Sequence, residues 1–148
     1  MADLTTVLVT GGSAFFGAAG AAGLKYAFDR RTYDRDNRRR KTEGAIRHLQ
    51  ALAMLIEPVK AGLAPSDPYG RQSYDEHLQD ARAECGGLSL YGGLTVRELA
   101  PTILKKLQEP GSTDPRLLSS ADSGSLAILL HEHAKQLEQA WRKDDHLR

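Results

Sequence analysis

The uncharged stretch at residues 4–24 reads LTTVLVTGGSAFFGAAGAAGL. The role of the remaining residues depends on whether this stretch lies in a membrane or inside a protein core. As a helix rising about 1.5 Å per residue it would be roughly 31 Å long, close to the ~30 Å hydrocarbon thickness of a bilayer. Its few strongly apolar side chains contribute only about −2 to −4 kcal/mol to insertion. The stretch therefore fits either a marginal single membrane span or a helix buried in protein.

Small residues recur every four positions within this stretch, at Ser13, Gly17 and Ala21. Such spacing lets helix backbones approach each other closely in a membrane. We expect these three residues to carry helix packing, which favours a homo-oligomer or another protein partner.

A basic segment follows at residues 25–41, where eight Lys and Arg stand against three Asp. Lys and Arg beside a span stay in the cytoplasm, which predicts a single-pass protein with its N-terminus outside and residues 42–148 in the cytoplasm. The most basic part, Arg38, Arg39, Arg40 and Lys41, is expected to contact acidic membrane lipid. We do not expect nucleic acid as a partner, because no recognisable nucleic-acid-binding module accompanies the run.

Two other interpretations explain the N-terminal stretch less well. A cleaved signal peptide needs a positive start, and residues 1–3 contain neither Lys nor Arg. Thr6–Gly17 resembles the opening of the extended short-chain dehydrogenases, whose TGGxGxxG loop lies against a pyrophosphate, and this resemblance implies a dinucleotide-binding enzyme. Here the middle glycine is Ala14, and no tyrosine is followed by lysine four residues later. A degenerate nucleotide-binding enzyme is thus a distant alternative, and we expect no enzyme and no cofactor.

Helical periodicity dominates residues 42–148. Apolar residues step by 4, 3, 4, 3, 4 from Ala45 to Leu63, as in a packed or coiled helix, and Pro58 predicts a kink near Met54. A second long helix is predicted to begin near Asp122, Ser123 or Ser125 and to run to about Lys143 on the same kind of spacing. No clear breaker separates residues 24 and 43, so the anchor and the first helix can form one rod.

Two shorter helices are predicted between the long ones. After a turn at residues 64–70, a helix near residues 71–85 is expected to end at Gly86-Gly87. The next is expected to start at a capping box formed by Thr95 and Glu98, and residues 109–115 are expected to be a linker.

These patterns predict an all-α fold, with an N-terminal transmembrane or buried helix at residues 1–24, a basic segment at 25–41 and an antiparallel domain of about four helices at 42–148. The two long helices are expected to pair and to carry association. The residues expected to do so are Leu49, Leu52, Ile56, Leu130 and Leu137.

Few residues suggest chemistry. His131 and His133 are two residues apart, so on a helix they point away from each other and cannot share a metal ion unaided. The single cysteine, Cys85, is expected to be a buried or helix-end thiol, and no metal site or catalytic residue is predicted.

The sequence therefore favours a membrane-anchored protein of interaction or self-assembly, for which a lysis or envelope component is one hypothesis. The alternative is a soluble helical assembly protein.

Overall fold

A computed structural model of the chain describes residues 4–62 and 73–146, with residues 4–24 described by their backbone alone. The helices are α1 (Leu4–Lys60), α2 (Tyr74–Tyr91), α3 (Leu94–Leu107), α4 (Pro110–Thr113) and α5 (Ser120–His146), and a 3₁₀ turn covers Pro115–Leu117. Within these described ranges there is no β-strand. The prediction of an all-helical chain is confirmed.

The chain divides into two compact units, residues 1–37 and 38–148. In the first unit, the described side chains at residues 25–37 are exposed along α1. The second unit holds the hydrophobic core and the remaining helices.

Contacts between residues distant in sequence give the direction of the helices in the second unit. Lys41 and His48 of α1 meet Glu84 and His77 of α2, so the residue numbers run in opposite directions and the two helices are antiparallel. The α2–α3 pair is a helical hairpin closed at Gly92.

The last helix, α5, packs between α1 and α3. Its start lies at the end of α1, where the Ser123 hydroxyl donates a hydrogen bond of 2.5 Å to Glu57. Its end lies at the start of α3, where Asp144 accepts from the Thr95 backbone N–H at 3.0 Å. The helix therefore runs antiparallel to both neighbours, which is the up-and-down arrangement of a four-helix bundle.

The bundle core contains the apolar stripes that the periodicity predicted. Burying a Leu or Ile side chain fully contributes about 1.5–3 kcal/mol, so each such residue of these stripes stabilises the bundle by about that amount. The largest side chains that are fully buried include Leu49, Leu52, Ile56, Leu88, Ile103, Leu107, Leu130 and Leu137. α1 continues through Pro58 and α3 through Pro101.

The predicted end of α2 is wrong. Gly86-Gly87 does not stop the helix, which continues to Tyr91. Two helical glycines cost about 2 kcal/mol relative to alanine, and full burial of Leu88 in the next turn offsets that cost. The N-terminus of α2 is fixed by a capping box in which Ser73 accepts from the Glu76 N–H and the Glu76 carboxylate accepts from the Ser73 N–H.

The predicted capping box of α3 is also wrong. The N-cap residue is Gly93, and no side chain of α3 itself caps the helix. The Asp144 carboxylate of α5 does so instead, accepting from the backbone N–H groups of Thr95 and Val96 at 3.0 Å each. This contact leaves no room for a side chain at Gly93, where a Cβ would overlap the carboxylate.

Ordered turns occupy the segment that was expected to be a linker. Glu109 and Pro110 start the short helix α4, and Pro115 starts the 3₁₀ turn. The buried Tyr74 hydroxyl donates a hydrogen bond of 2.6 Å to the Ser112 carbonyl and fastens this segment to the start of α2. The predicted turn at residues 64–70 lies outside the described residues.

Candidate functional site

The residues predicted to pack in the membrane, Ser13, Gly17 and Ala21, belong to the part of α1 whose side chains lie outside the described residues. Within residues 25–62 and 73–146, whose side chains the structure describes, no helix is both long and apolar enough to cross a bilayer. The membrane span at residues 4–24 therefore stays a prediction.

The four basic residues predicted to touch lipid lie on one turn of α1 and have different surroundings. Arg39 forms an ion pair of 2.8 Å with Glu43 one turn further along the helix, and Lys41 lies 3.9 Å from Glu84 of α2. Arg38 is half-buried and Arg40 is exposed. Arg39 and Lys41 thus each face a carboxylate, and contact of the four residues with lipid stays a prediction.

Three exposed aromatic side chains follow the uncharged stretch, a feature that composition alone did not bring out. Tyr26, Phe28 and Tyr33 are 69% to 71% exposed on α1. They alternate with Lys25 and the other charged residues of the basic segment. Aromatic rings next to cationic side chains are typical of the zone where a helix leaves a bilayer.

The five residues predicted to carry association lie inside the second unit. Leu49, Leu52, Ile56, Leu130 and Leu137 are fully buried by the chain's own helices. They pack α1 and α5 into the bundle, and their part in association with another chain stays a prediction.

An exposed apolar patch lies at the turn between α2 and α3. Its residues are Leu90, Tyr91 and Leu94, each 66% to 69% exposed, and we call it the hairpin tip. It occupies the end of the bundle that also contains the Asp144 cap.

The side chains considered for chemistry lie on α5 and α2. His131 is exposed, and the buried His133 lies 3.3 Å from Gln136. No set of three His, Cys, Asp or Glu in the described ranges could hold a metal ion. Burial raises the pKa of the Cys85 thiol to about 12, which keeps it protonated and unreactive. The expectation of a buried cysteine is confirmed.

Two buried histidines meet between α1 and α2. Nδ1 of His48 lies 2.9 Å from Nδ1 of His77. His48 is 5% exposed and His77 is 2% exposed. The ring planes are tilted by 54° with centroids 5.2 Å apart. One ring must therefore donate an Nδ1–H to the unprotonated Nδ1 of the other.

Charges around the pair act on His48 in opposite directions. Burial lowers the pKa of the His48 imidazole from its ordinary value of 6.5, and the nearby His77 and Arg47 lower it further. The Asp80 carboxylate, 3.8 Å from Nε2 of His48, opposes them. Asp80 is half-exposed and therefore only partly offsets the cost of charging a buried ring.

Sequence reasoning missed this pair, although helical spacing contained a signal for it. His48 lies three residues after Ala45 and one before Leu49, on the buried stripe of α1. His77 likewise precedes Leu78 and Ala81 on the buried side of α2.

Comparisons with protein-family models, with curated proteins and with solved structures gave no match for this chain.

Proposed function

We propose that this chain is a single-pass membrane protein whose helical bundle lies in the cytoplasm and serves protein–protein interaction or self-assembly, without catalysis. Residues 4–24 form the span, and residues 25–41 fix the topology with the N-terminus outside. The bundle of residues 38–148 is the part that partners recognise. Membrane lipid and a second copy of the chain are the expected contacts.

The observation that carries this proposal is the order of features along α1. An uncharged stretch of bilayer length comes first, then exposed aromatic residues mixed with Lys and Arg, and then the apolar stripe of a packed helix. The positive charge follows the stretch, which favours retention of the following residues in the cytoplasm.

The small contribution of the span to insertion supports self-association. A helix that gains only about −2 to −4 kcal/mol from lipid is better held when its small residues pack against another helix. Replacing Gly17 by Leu would enlarge that face while making the stretch more apolar. We expect Gly17→Leu to insert as well as the wild type but to weaken the oligomer.

Fractionation of the full-length chain tests the membrane assignment. The wild type should stay in the membrane after a carbonate wash and need detergent for extraction. Phe15→Arg places a charge near the middle of the stretch at a cost of about 2.5–3.5 kcal/mol, so this variant should lose membrane retention. Met54→Arg, at an exposed position of the bundle, is the matched control and should fractionate like the wild type.

Solution behaviour separates this proposal from the soluble alternative. A full-length chain that stays monodisperse without detergent would overturn the membrane assignment and favour a soluble helical assembly protein. Protease protection in sealed vesicles checks the orientation. A bundle on the cytoplasmic side is digested only in vesicles whose cytoplasmic face is on the outside, where the protease can reach it.

A further inference from the structure

The contact between His48 and His77 joins α1 to α2 through a bond that depends on how many protons the two rings carry. With both rings neutral, one Nδ1–H donates to the other Nδ1 at 2.9 Å. If one ring becomes an imidazolium, the same bond remains, since the other ring still offers a lone pair. If both rings are charged, two N–H groups face each other and the bond is lost.

The surroundings accommodate one added charge better than two. The Asp80 carboxylate of α2 lies 3.8 Å from Nε2 of His48 and attracts that ring electrostatically when the ring is charged. Arg47 of α1 opposes protonation. About two turns before the pair on α1 and two turns further along α2, Lys41 and Glu84 lie 3.9 Å apart.

Glu138 lines a groove that Arg47 also lines, beside the α1–α5 contact. A second imidazolium would be buried against the first with one Nδ1–H facing the other at the 2.9 Å contact, which is costly in a low-dielectric interior.

We propose that the His48–His77 contact is an acid-sensitive latch, which holds α2 against α1 at neutral pH and releases it when both rings are protonated. The opened or unfolded state binds a proton on each ring, whereas the closed state keeps at most one on the pair. Acidification therefore favours opening of the α1–α2 contact. This inference concerns the bundle alone and does not depend on the membrane assignment.

The direction of the pH effect follows from the proton count. A histidine whose folded pKa lies below its ordinary value of 6.5 contributes stability that is present above pH 6.5 and is lost as the pH falls through the folded pKa. With about one proton more on the open state, the opening equilibrium should rise about tenfold per pH unit below pH 6.5.

Cys85 is a natural reporter of this opening, because it is fully buried on α2 and is the only cysteine of the chain. Its sulfur attacks the disulfide of 4,4′-dithiodipyridine, a reagent that reacts with thiols even in acid, and 4-thiopyridone leaves. This reaction would be followed on the full-length chain from pH 7.5 to 4.5. The rate at each pH is divided by the rate of the urea-unfolded chain at the same pH, which gives a corrected rate that is free of the intrinsic pH dependence of the reagent. We expect the corrected rate to rise about tenfold per unit below pH 6.5.

Variants identify the histidines responsible. In H48N/H77N, two carboxamides can hydrogen-bond without titrating, so the corrected rate should become nearly independent of pH. H133N removes another buried histidine, on α5, and should keep the wild-type profile. An unchanged slope in H48N/H77N, or a flat profile in the wild type, would overturn the latch.

Nitrogen NMR of the wild-type imidazoles keeps the test decisive if the double variant fails to fold. At pH 7.5 one of the two rings should carry its proton on Nδ1 and the other on Nε2, and both should become imidazolium over the pH range in which Cys85 becomes reactive. Identical tautomers at pH 7.5, or Cys85 exposure without a change in these two rings, would contradict the proposal.

Discussion

Removing the carboxylate of Asp144 should destabilise a helix that lies far from it in sequence. The carboxylate accepts two backbone N–H bonds at the start of α3, from Thr95 and Val96, which precede it by 49 and 48 residues. Asp144→Ala leaves both N–H groups without this acceptor. No side chain of α3 caps the helix in its place.

The expected loss is a large part of the bundle's stability. Hydrogen bonds to a charged group are worth about 1.5–3 kcal/mol each, and loss of an N-cap costs about 0.5–2 kcal/mol. Because water can reach the part-buried Thr95 N–H but not the buried Val96 N–H, we expect Asp144→Ala to lose about 3 kcal/mol. Asp144→Asn keeps a single acceptor oxygen and should lose about half as much.

Urea unfolding of the full-length chain, followed by the fluorescence of its single tryptophan, measures these losses. Trp141 packs against the core on α5, so its emission reports loss of the bundle. Glu132→Ala, at an exposed position on the same helix, is the matched control and should change stability by less than about 0.5 kcal/mol. If Asp144→Ala behaves like this control, the capping argument is refuted.

Three further changes test other contacts by the same unfolding measurement or by thiol chemistry. Gly93→Ala should destabilise by about 2 kcal/mol or more because its Cβ overlaps the capping carboxylate, whereas Gly86→Ala, which meets open space within α2, should stabilise by about 1 kcal/mol. An equal effect of the two changes would contradict this. Tyr74→Phe removes the hydroxyl bond to Ser112 and should cost about 1–2 kcal/mol, and a neutral result would show that the turn is held by packing alone. Burial raises the pKa of Cys85 to about 12, so iodoacetamide at pH 8 should modify this residue only after unfolding, and rapid labelling of the native chain would refute its burial.

Periodicity predicted the core of the bundle because it reports which face of a helix meets its neighbours. The stripe containing Leu49, Leu52 and Ile56 and the one containing Leu130 and Leu137 are both fully buried. The same stripes are also predicted to carry association, and sequence spacing does not distinguish a neighbour within the chain from a neighbour in another chain. Apolar spacing is identical in the two cases.

Helix ends were harder to predict, because distant residues determine them. Thr95 and Glu98 have the spacing of a capping box, yet a carboxylate from another helix accepts from the Thr95 N–H. Ser73 and Glu76 have the same spacing and do form a box. The pattern alone therefore does not decide between them, and the packing of α5 does.

The candidate site was likewise predictable only in part. The prediction of basic residues on one turn of α1 follows directly from the sequence, whereas the meeting of His48 with His77 depends on how α1 and α2 are aligned. A slide of one turn along α2 would separate the two rings. Pairing between residues that are 29 positions apart can be recognised only once the helices are placed.

The cap at Asp144 has a consequence for how the protein is made. Synthesis runs from the N-terminus to the C-terminus, so the start of α3 leaves the ribosome well before the carboxylate that will cap it. During that interval the first backbone N–H groups of α3 stay in water, and the side of the α2–α3 hairpin that will pack against α5 stays uncovered. A chain cut anywhere between residues 107 and 144 would stay in that condition, and quality-control proteases or chaperones that recognise uncovered apolar surface would be its first contacts.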